Sequence, residues 1–253
     1  MRYGTGSRYI FCFHGYGETA DTFSFLYSHL LPGQTLIAID LPFHGKTDWK
    51  EGIGLGSQML AAIMEEISGT NHPPYILIGY SLGGRIALHY CQDFPERIKK
   101  LVLLAPDGLK LNPWYWFATQ TRMGSALFSF TVQRPAVLSR ILNTGHHLNL
   151  VNSSIYKFVR QHLHRKEVRS ALYARWMCMR FFRPDLRRVR SLITQHNISI
   201  RLLYGAHDRM IRPSRGEKFR KGIESFCTLQ VIDSGHGVLD EKNVQVISHL
   251  IQS

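Results

Sequence analysis

The 253-residue sequence has no run of about 18 apolar residues, the length an apolar helix needs to cross a bilayer, so the pattern predicts no membrane-spanning helix. Its opening, MRYGTGSRYIFCFHG, lacks a long apolar stretch with a small-residue cleavage site, which speaks against a secretory leader. Only four cysteines occur (Cys12, Cys91, Cys178 and Cys227), far apart and in no CxxC pair. That pattern offers no disulfide framework and no cysteine ligand cluster, and it fits reduced thiols in a cytoplasmic protein. No internal repeat or low-complexity tract is present. Acidic residues are scarce in one region: Asp107 to Arg190 holds 3 Asp and Glu against 15 Lys and Arg, while the rest of the chain is nearly balanced at 15 and 16. The net charge of +13 is therefore concentrated in the middle of the chain, the pattern of a balanced body with a basic insert. With 44% hydrophobic and 19% charged residues, the composition is that of a globular protein.

Short β-branched and aromatic runs alternate with stretches of helical spacing. Arg8–Phe13, Thr35–Asp40, Tyr75–Gly79, Lys100–Ala105, Ile200–Tyr204 and Thr228–Ile232 read as strands. Helices are expected over Thr22–Leu31, Gly56–Gly69, Leu82–Cys91 and Val244–Ile251. Alternation of this kind marks an α/β fold with a mainly parallel sheet covered on both faces. It stops between Pro106 and about Ser191, where the sequence is helix-like, aromatic and basic. The expected division is a core of residues 1–106 and 191–253 with a helical lid of residues 107–190.

The chemistry concentrates at strand ends. Gly79-Tyr80-Ser81-Leu82-Gly83 fits G-x-S-x-G between a strand and a helix, a turn tight enough to require small flanking residues. Glycine-flanked serines are also common in ordinary turns. A serine hydroxyl is a poor nucleophile near neutral pH and needs a base, which in turn needs an orienting acid. Gly205-Ala206-His207-Asp208 follows the fifth expected strand and Ser234-Gly235-His236-Gly237 the sixth, so Ser81, Asp208 and His236 share one sheet edge in that chain order.

With HGYG at His14–Gly17, DLPFHGKT at Asp40–Thr47, GYSLGG at Gly79–Gly84, GAHD at Gly205–Asp208 and SGHG at Ser234–Gly237, the chain resembles the α/β-hydrolase fold superfamily along essentially its whole length. The resemblance implies Ser81 as nucleophile, His236 as general base and acid, Asp208 as its partner, and an oxyanion hole from the backbone N–H groups of Tyr16 and Leu82. It also implies a sheet of about six or seven strands in which the usual first strand is missing, since only seven residues precede Arg8 and Tyr3–Gly6 looks like the tail of the usual second strand. A wrongly assigned start is the competing explanation. The string Tyr80-Ser81-Leu82-Gly83-Gly84-Arg85 resembles the menaquinone-pathway synthase branch, which uses the triad for a pyruvate elimination and binds a carboxylated substrate through arginines.

Other residues compete for roles. Asp107, after the fourth strand, is the rival acid. Asp233, His14 and His44 read as loop supports. His146 and His147 read as a surface pair, since no carboxylate or cysteine stands at ligand spacing. In the insert, Trp114 and Arg122 lie in an aromatic run, and Arg160, Arg165, Arg169, Arg175, Arg180 and Arg183 follow. These cations either solvate outer helix faces, attract an anionic substrate, or form a membrane-surface patch; nucleic acid is disfavoured because no recognised module accompanies the charge. The expected activity is a serine hydrolase acting on an ester or thioester of a small acyl substrate, an anionic one if the arginines face it. Expected substrate contacts are Tyr80, Arg85, Trp114 and Arg122, with no cofactor and no metal. The alternatives are a carbon–carbon lyase or hydrolase, a haloperoxidase-like enzyme sharing the same triad, and a non-catalytic binder of a small ligand.

Overall fold

The structure is a computed structural model that describes residues 1–253 apart from 53, 71, 111, 152, 154, 155, 158, 159 and 161–165; Arg165 of the basic insert thus lies outside the described residues. The chain divides into two compact units. One comprises Met1–Thr47, Gly56–Lys110 and Phe182–Ser253; the other comprises Asp48–Leu55 and Leu111–Phe181.

The first unit is built on seven strands: β1 (Arg2–Tyr3), β2 (Arg8–Phe13), β3 (Gln34–Ile39), β4 (Tyr75–Tyr80), β5 (Ile98–Leu104), β6 (Ser199–Gly205) and β7 (Cys227–Ile232). They form one sheet in the order β1-β3-β2-β4-β5-β6-β7. Strand β1 pairs antiparallel to β3 at the edge, with Arg2 opposite Ile37, and all other neighbours are parallel. The strands read as continuous apolar runs because both faces are covered: Ile10–Phe13 and Leu101–Leu104 are fully buried. The chain runs from β2 to β3 on one side and then to β4 on the other. The loops after β2 and β4 therefore leave the carboxyl edge in opposite directions.

Helices α1 (Ser57–Ser68) and α2 (Leu82–Asp93) fall where the spacing predicts them. The expected helix over Thr22–Leu31 is instead a 3-10 helix over Ala20–His29. Its buried residues Ala20, Phe23 and Leu26 recur every third position, which suits three residues per turn rather than 3.6. Asp40 Oδ1 accepts from the Ala20 N–H at 2.7 Å and fixes its start. Residues Pro213–Arg220 (PSRGEKFR) form a helix that apolar periodicity did not reveal, since only Gly216 and Phe219 are buried. Lys100, at the base of β5, is buried and donates to the Ile251 carbonyl at 2.9 Å, at the end of the C-terminal helix Val244–Gln252. Burial, and then the neighbouring Arg201 and Lys99, push its amine down to about 8.

The second unit is helical, with α3 (Pro113–Gln120), α4 (Arg122–Gln133), α5 (Pro135–His147) and α6 (Lys166–Cys178). Asn112 caps α3 by accepting from the Trp114 and Tyr115 N–H groups, and Thr121 caps α4 by accepting from Gly124 N at 2.9 Å. Helices α3, α4 and α6 meet in a ring cluster: Tyr115 lies 5.2 Å from Trp176, and Phe128 lies 5.4 Å from Trp176 and 5.2 Å from Tyr173. Arg169, buried on α6, donates to the Val132 carbonyl at the end of α4.

Candidate active site

Strand β4 turns into α2 through Ser81, whose φ of +49° and ψ of −112° are a conformation side chains rarely adopt. The turn is held on both sides. Ser81 donates its N–H to Leu104 O at 3.0 Å, and its carbonyl accepts from the N–H groups of Gly84 and Asp107 at 3.0 and 2.8 Å. No side chain would fit at the flanking glycines: a Cβ on Gly83 would lie 1.9 Å from Phe13 O, and one on Gly79 would lie 2.6 Å from Gly83 O. Gly83 is thus a packing requirement of the neighbouring strand β2, and Gly79 one of the first turn of α2.

Two loops from the far strands reach this elbow. The β6 and β7 loops are tied to each other by Ala206 N to Ile232 O at 2.8 Å and His207 N to Ser234 O at 2.9 Å. They carry Asp208 and His236. His236 Nε2 lies 3.1 Å from Ser81 Oγ, and its Nδ1 lies 2.7 Å from Asp208 Oδ2. The Asp208 side chain is fully buried. Its other oxygen accepts from Met210 N at 2.7 Å and Ile211 N at 2.9 Å. Burial alone would raise this carboxyl, but hydrogen bonds from His236 and the two backbone donors outweigh it, and the net shift is downward. An ionised Asp208 accepts a hydrogen bond from Nδ1–H, which keeps the proton on Nδ1 and leaves Nε2 as the acceptor facing the Ser81 hydroxyl.

The rival carboxylates have other partners. Asp107 Oδ2 lies 3.5 Å from Arg85 Nη1, and Asp233 pairs with His207 at 2.9 Å in solvent. Arg85, 8% exposed, thus faces a carboxylate of its own unit, and that same Asp107 holds the Ser81 carbonyl through its N–H. Tyr80 is buried, and its hydroxyl donates to the His236 carbonyl at 3.2 Å. Its ring lies 5.6 Å from the imidazole, and burial, followed by Glu18 and Asp208, raises its phenol.

Strand β2 is the sheet neighbour of β4, and the loop after β2 carries Tyr16, whose ring lies 6.0 Å from that of His44. His14 underpins it: its Nε2 accepts from Leu41 N at 3.1 Å and its Nδ1 donates to Gly15 O at 2.8 Å. His44 donates to Pro42 O and stands 5.0 Å from the His14 ring. Leu82 is the first residue of α2, where helical N–H groups point toward the elbow. Trp114 and Arg122 belong to the second unit, on α3 and α4, and are not among the groups the first unit assembles. His146 stacks on Tyr156 at 4.3 Å. Among the described residues, no group of three or more His, Cys, Asp or Glu is placed to hold a metal ion.

One residue escaped the sequence reading. Glu18 accepts from Gly15 N at 3.2 Å, and Gly15 is hemmed between that carboxylate and the Tyr80 ring. Burial raises the Glu18 carboxyl against the lowering effects of Gly15 and the charge of His236. The signal was an acidic residue directly after HGYG.

Comparison with known proteins follows the same lines. A family profile described as alpha/beta hydrolase fold matches residues 9–243. An uncharacterized hydrolase, YugF, of Bacillus subtilis is 22% identical over 251 residues, covering 97% of this chain and 89% of that one. A second Bacillus subtilis protein, provisionally named a 2-succinyl-6-hydroxy-2,4-cyclohexadiene-1-carboxylate synthase, is 35% identical over 107 residues, 41% of this chain and 39% of that one. Among solved structures, an esterase from Thermogutta terrifontis superposes with a TM-score of 0.68 at 18% identity, over 100% of this chain and 92% of that one, a likeness of fold.

Proposed function

Because the chain belongs to the α/β-hydrolase-fold family and is an enzyme of the hydrolase class, we propose that it is a serine hydrolase that cleaves an ester or thioester of a small acyl substrate through an acyl-enzyme. The observation that carries this reading is His236 standing between Ser81 Oγ and Asp208 at 3.1 and 2.7 Å. Ser81 Oγ attacks the carbonyl carbon while His236 Nε2 takes its proton, and buried Asp208 steadies the resulting imidazolium. The oxyanion of the tetrahedral intermediate is received by the N–H groups of Leu82 and Tyr16, each worth roughly 3 kcal/mol to the transition state. Collapse breaks the bond to the alcohol or thiol, which leaves with the proton from His236. Water then attacks the acyl-enzyme with the same histidine as base, releasing the acid and Ser81. No cofactor or metal is needed for these steps.

In this reading residues 107–190 act as a lid that governs substrate choice. The four free, buried cysteines support a cytoplasmic setting.

A fluorophosphonate probe tests the reading. It should label Ser81 in the wild type and leave Ser81→Ala unlabelled at an unchanged melting temperature. A folded wild type that resists the probe at every concentration would sink the serine-nucleophile reading and favour a ligand-binding homologue. The partial identity to the synthase-named protein favours a second reading, a carbon–carbon lyase in which the triad acts as a base. The Arg85–Asp107 pair weighs against it, because that arginine already has a carboxylate partner. Mass-spectrometric trapping of an acyl adduct on Ser81 during turnover decides for the hydrolase; a turned-over substrate with no adduct decides for the lyase.

A further inference from the structure

Helix α4 carries two apolar faces. One is internal to its unit: Gly124, Thr131 and Val132 are buried, and Phe128 packs on Tyr173 and Trp176. The other consists of Met123, Leu127 and Phe130, spaced four and three residues apart along one side of the helix. These side chains are 71%, 45% and 44% exposed. A soluble surface rarely leaves such a stripe bare unless something covers it. Arg134 continues the stripe a further turn along, with its guanidinium 4.8 Å from the Phe130 ring centroid. Arg140, also exposed, follows on α5. The surrounding charge is strongly one-sided: residues 111–181 contain ten Lys and Arg and a single acidic residue, Glu167.

An exposed apolar stripe flanked by arginines, on a segment (111–181) whose charged residues are almost all cationic, has the chemistry of an interfacial helix. Apolar side chains enter the boundary between headgroups and acyl chains while the cations meet lipid phosphates. An acidic protein would match the charge but would leave Met123, Leu127 and Phe130 without an apolar partner. Among the described residues no helix is long and apolar enough to cross a membrane, so the contact in question lies on the surface.

We propose that the helical unit docks on an anionic phospholipid surface through the Met123–Leu127–Phe130 stripe of α4, with Arg134 and Arg140 at its phosphate-facing border. Flotation with lipid vesicles tests this without any need for turnover. At low salt the wild type should float with phosphatidylcholine vesicles containing about 30% phosphatidylglycerol and not with pure phosphatidylcholine, and about 0.5 M salt should release it. The double variant Leu127→Glu, Phe130→Glu should float at least tenfold less, on the order expected when two apolar anchors are replaced by charges repelled from the surface. Its melting temperature and its fluorophosphonate labelling should match the wild type, since both positions already face solvent.

Several results would overturn the inference. The first is failure of the wild type to float with the anionic vesicles. The second is a double variant that floats as well as the wild type. A third is loss of probe labelling in step with loss of flotation, which would assign the stripe to the substrate site. Retention on a polyglutamate resin without flotation would make the partner an acidic protein, and a wild-type dimer that the double variant breaks, again without flotation, would make it a second copy of the chain.

Discussion

The two units of this protein treat charge and apolar surface in opposite ways. The helical unit, Asp48–Leu55 with Leu111–Phe181, carries 11 Lys and Arg against 3 Asp and Glu, whereas the other unit carries 20 against 15. Nine of the fifteen large hydrophobic side chains that stand exposed among the described residues also fall between Trp114 and Phe181. The body instead buries its apolar runs on both faces of the sheet and gives its buried cations specific partners, Asp107 for Arg85 and the Ile251 carbonyl for Lys100. A buried charge is tolerated only with such a partner, while a cation in water needs none. The body is thus built to hold a few groups in fixed geometry, and the helical unit to present a surface.

Substitutions can sharpen or break that contrast, beginning with the largest effect. Asp208→Asn should lower kcat by about 10³–10⁴, because the imidazole loses the partner that orients it, while the melting temperature changes little. Turnover close to wild type would move the acid to Asp107. Truncation should separate the units by stability. Val102→Ala, in the sheet core, should cost roughly 1–3 kcal/mol in denaturant unfolding. Leu127→Ala, on the exposed stripe, should stay within about 0.5 kcal/mol. Equal costs would mean that the stripe is packed in solution. The smallest effect is expected at the loop after β2. Glu18→Ala should reduce kcat about tenfold by releasing the Gly15 N–H beside the oxyanion loop. Glu18→Gln, whose amide oxygen can still accept that bond, should recover most of the loss; an equal deficit in both would point to the charge of Glu18 instead.

Much of the body was legible in the sequence because its signals are local. A parallel strand buried on both faces must be a short apolar run, and β2 to β7 all announced themselves within a residue or two. The elbow was legible because its glycines and serine stand within five consecutive residues between a strand and a helix, although the atoms that exclude a side chain at Gly83 belong to the remote Phe13. The segment Ala20–His29 misled because its three-residue burial period overlaps a helical one over so short a stretch. Glu18 escaped because its importance lies in a contact with Gly15 and in its closeness to Tyr80, and no periodicity encodes that contact.

The sequence alone determined the order of strands and helices, the place of Ser81 between β4 and α2, and the concentration of positive charge in the middle of the chain. These follow from residue type and spacing within single elements. Only the tertiary structure decided that His236 takes Asp208 rather than Asp107, that Arg85 is drawn to Asp107, and that α4 leaves one apolar face bare. Each of those outcomes depends on which strand ends and helix faces come together, and distances between residues remote in sequence are set by the sheet order and by packing.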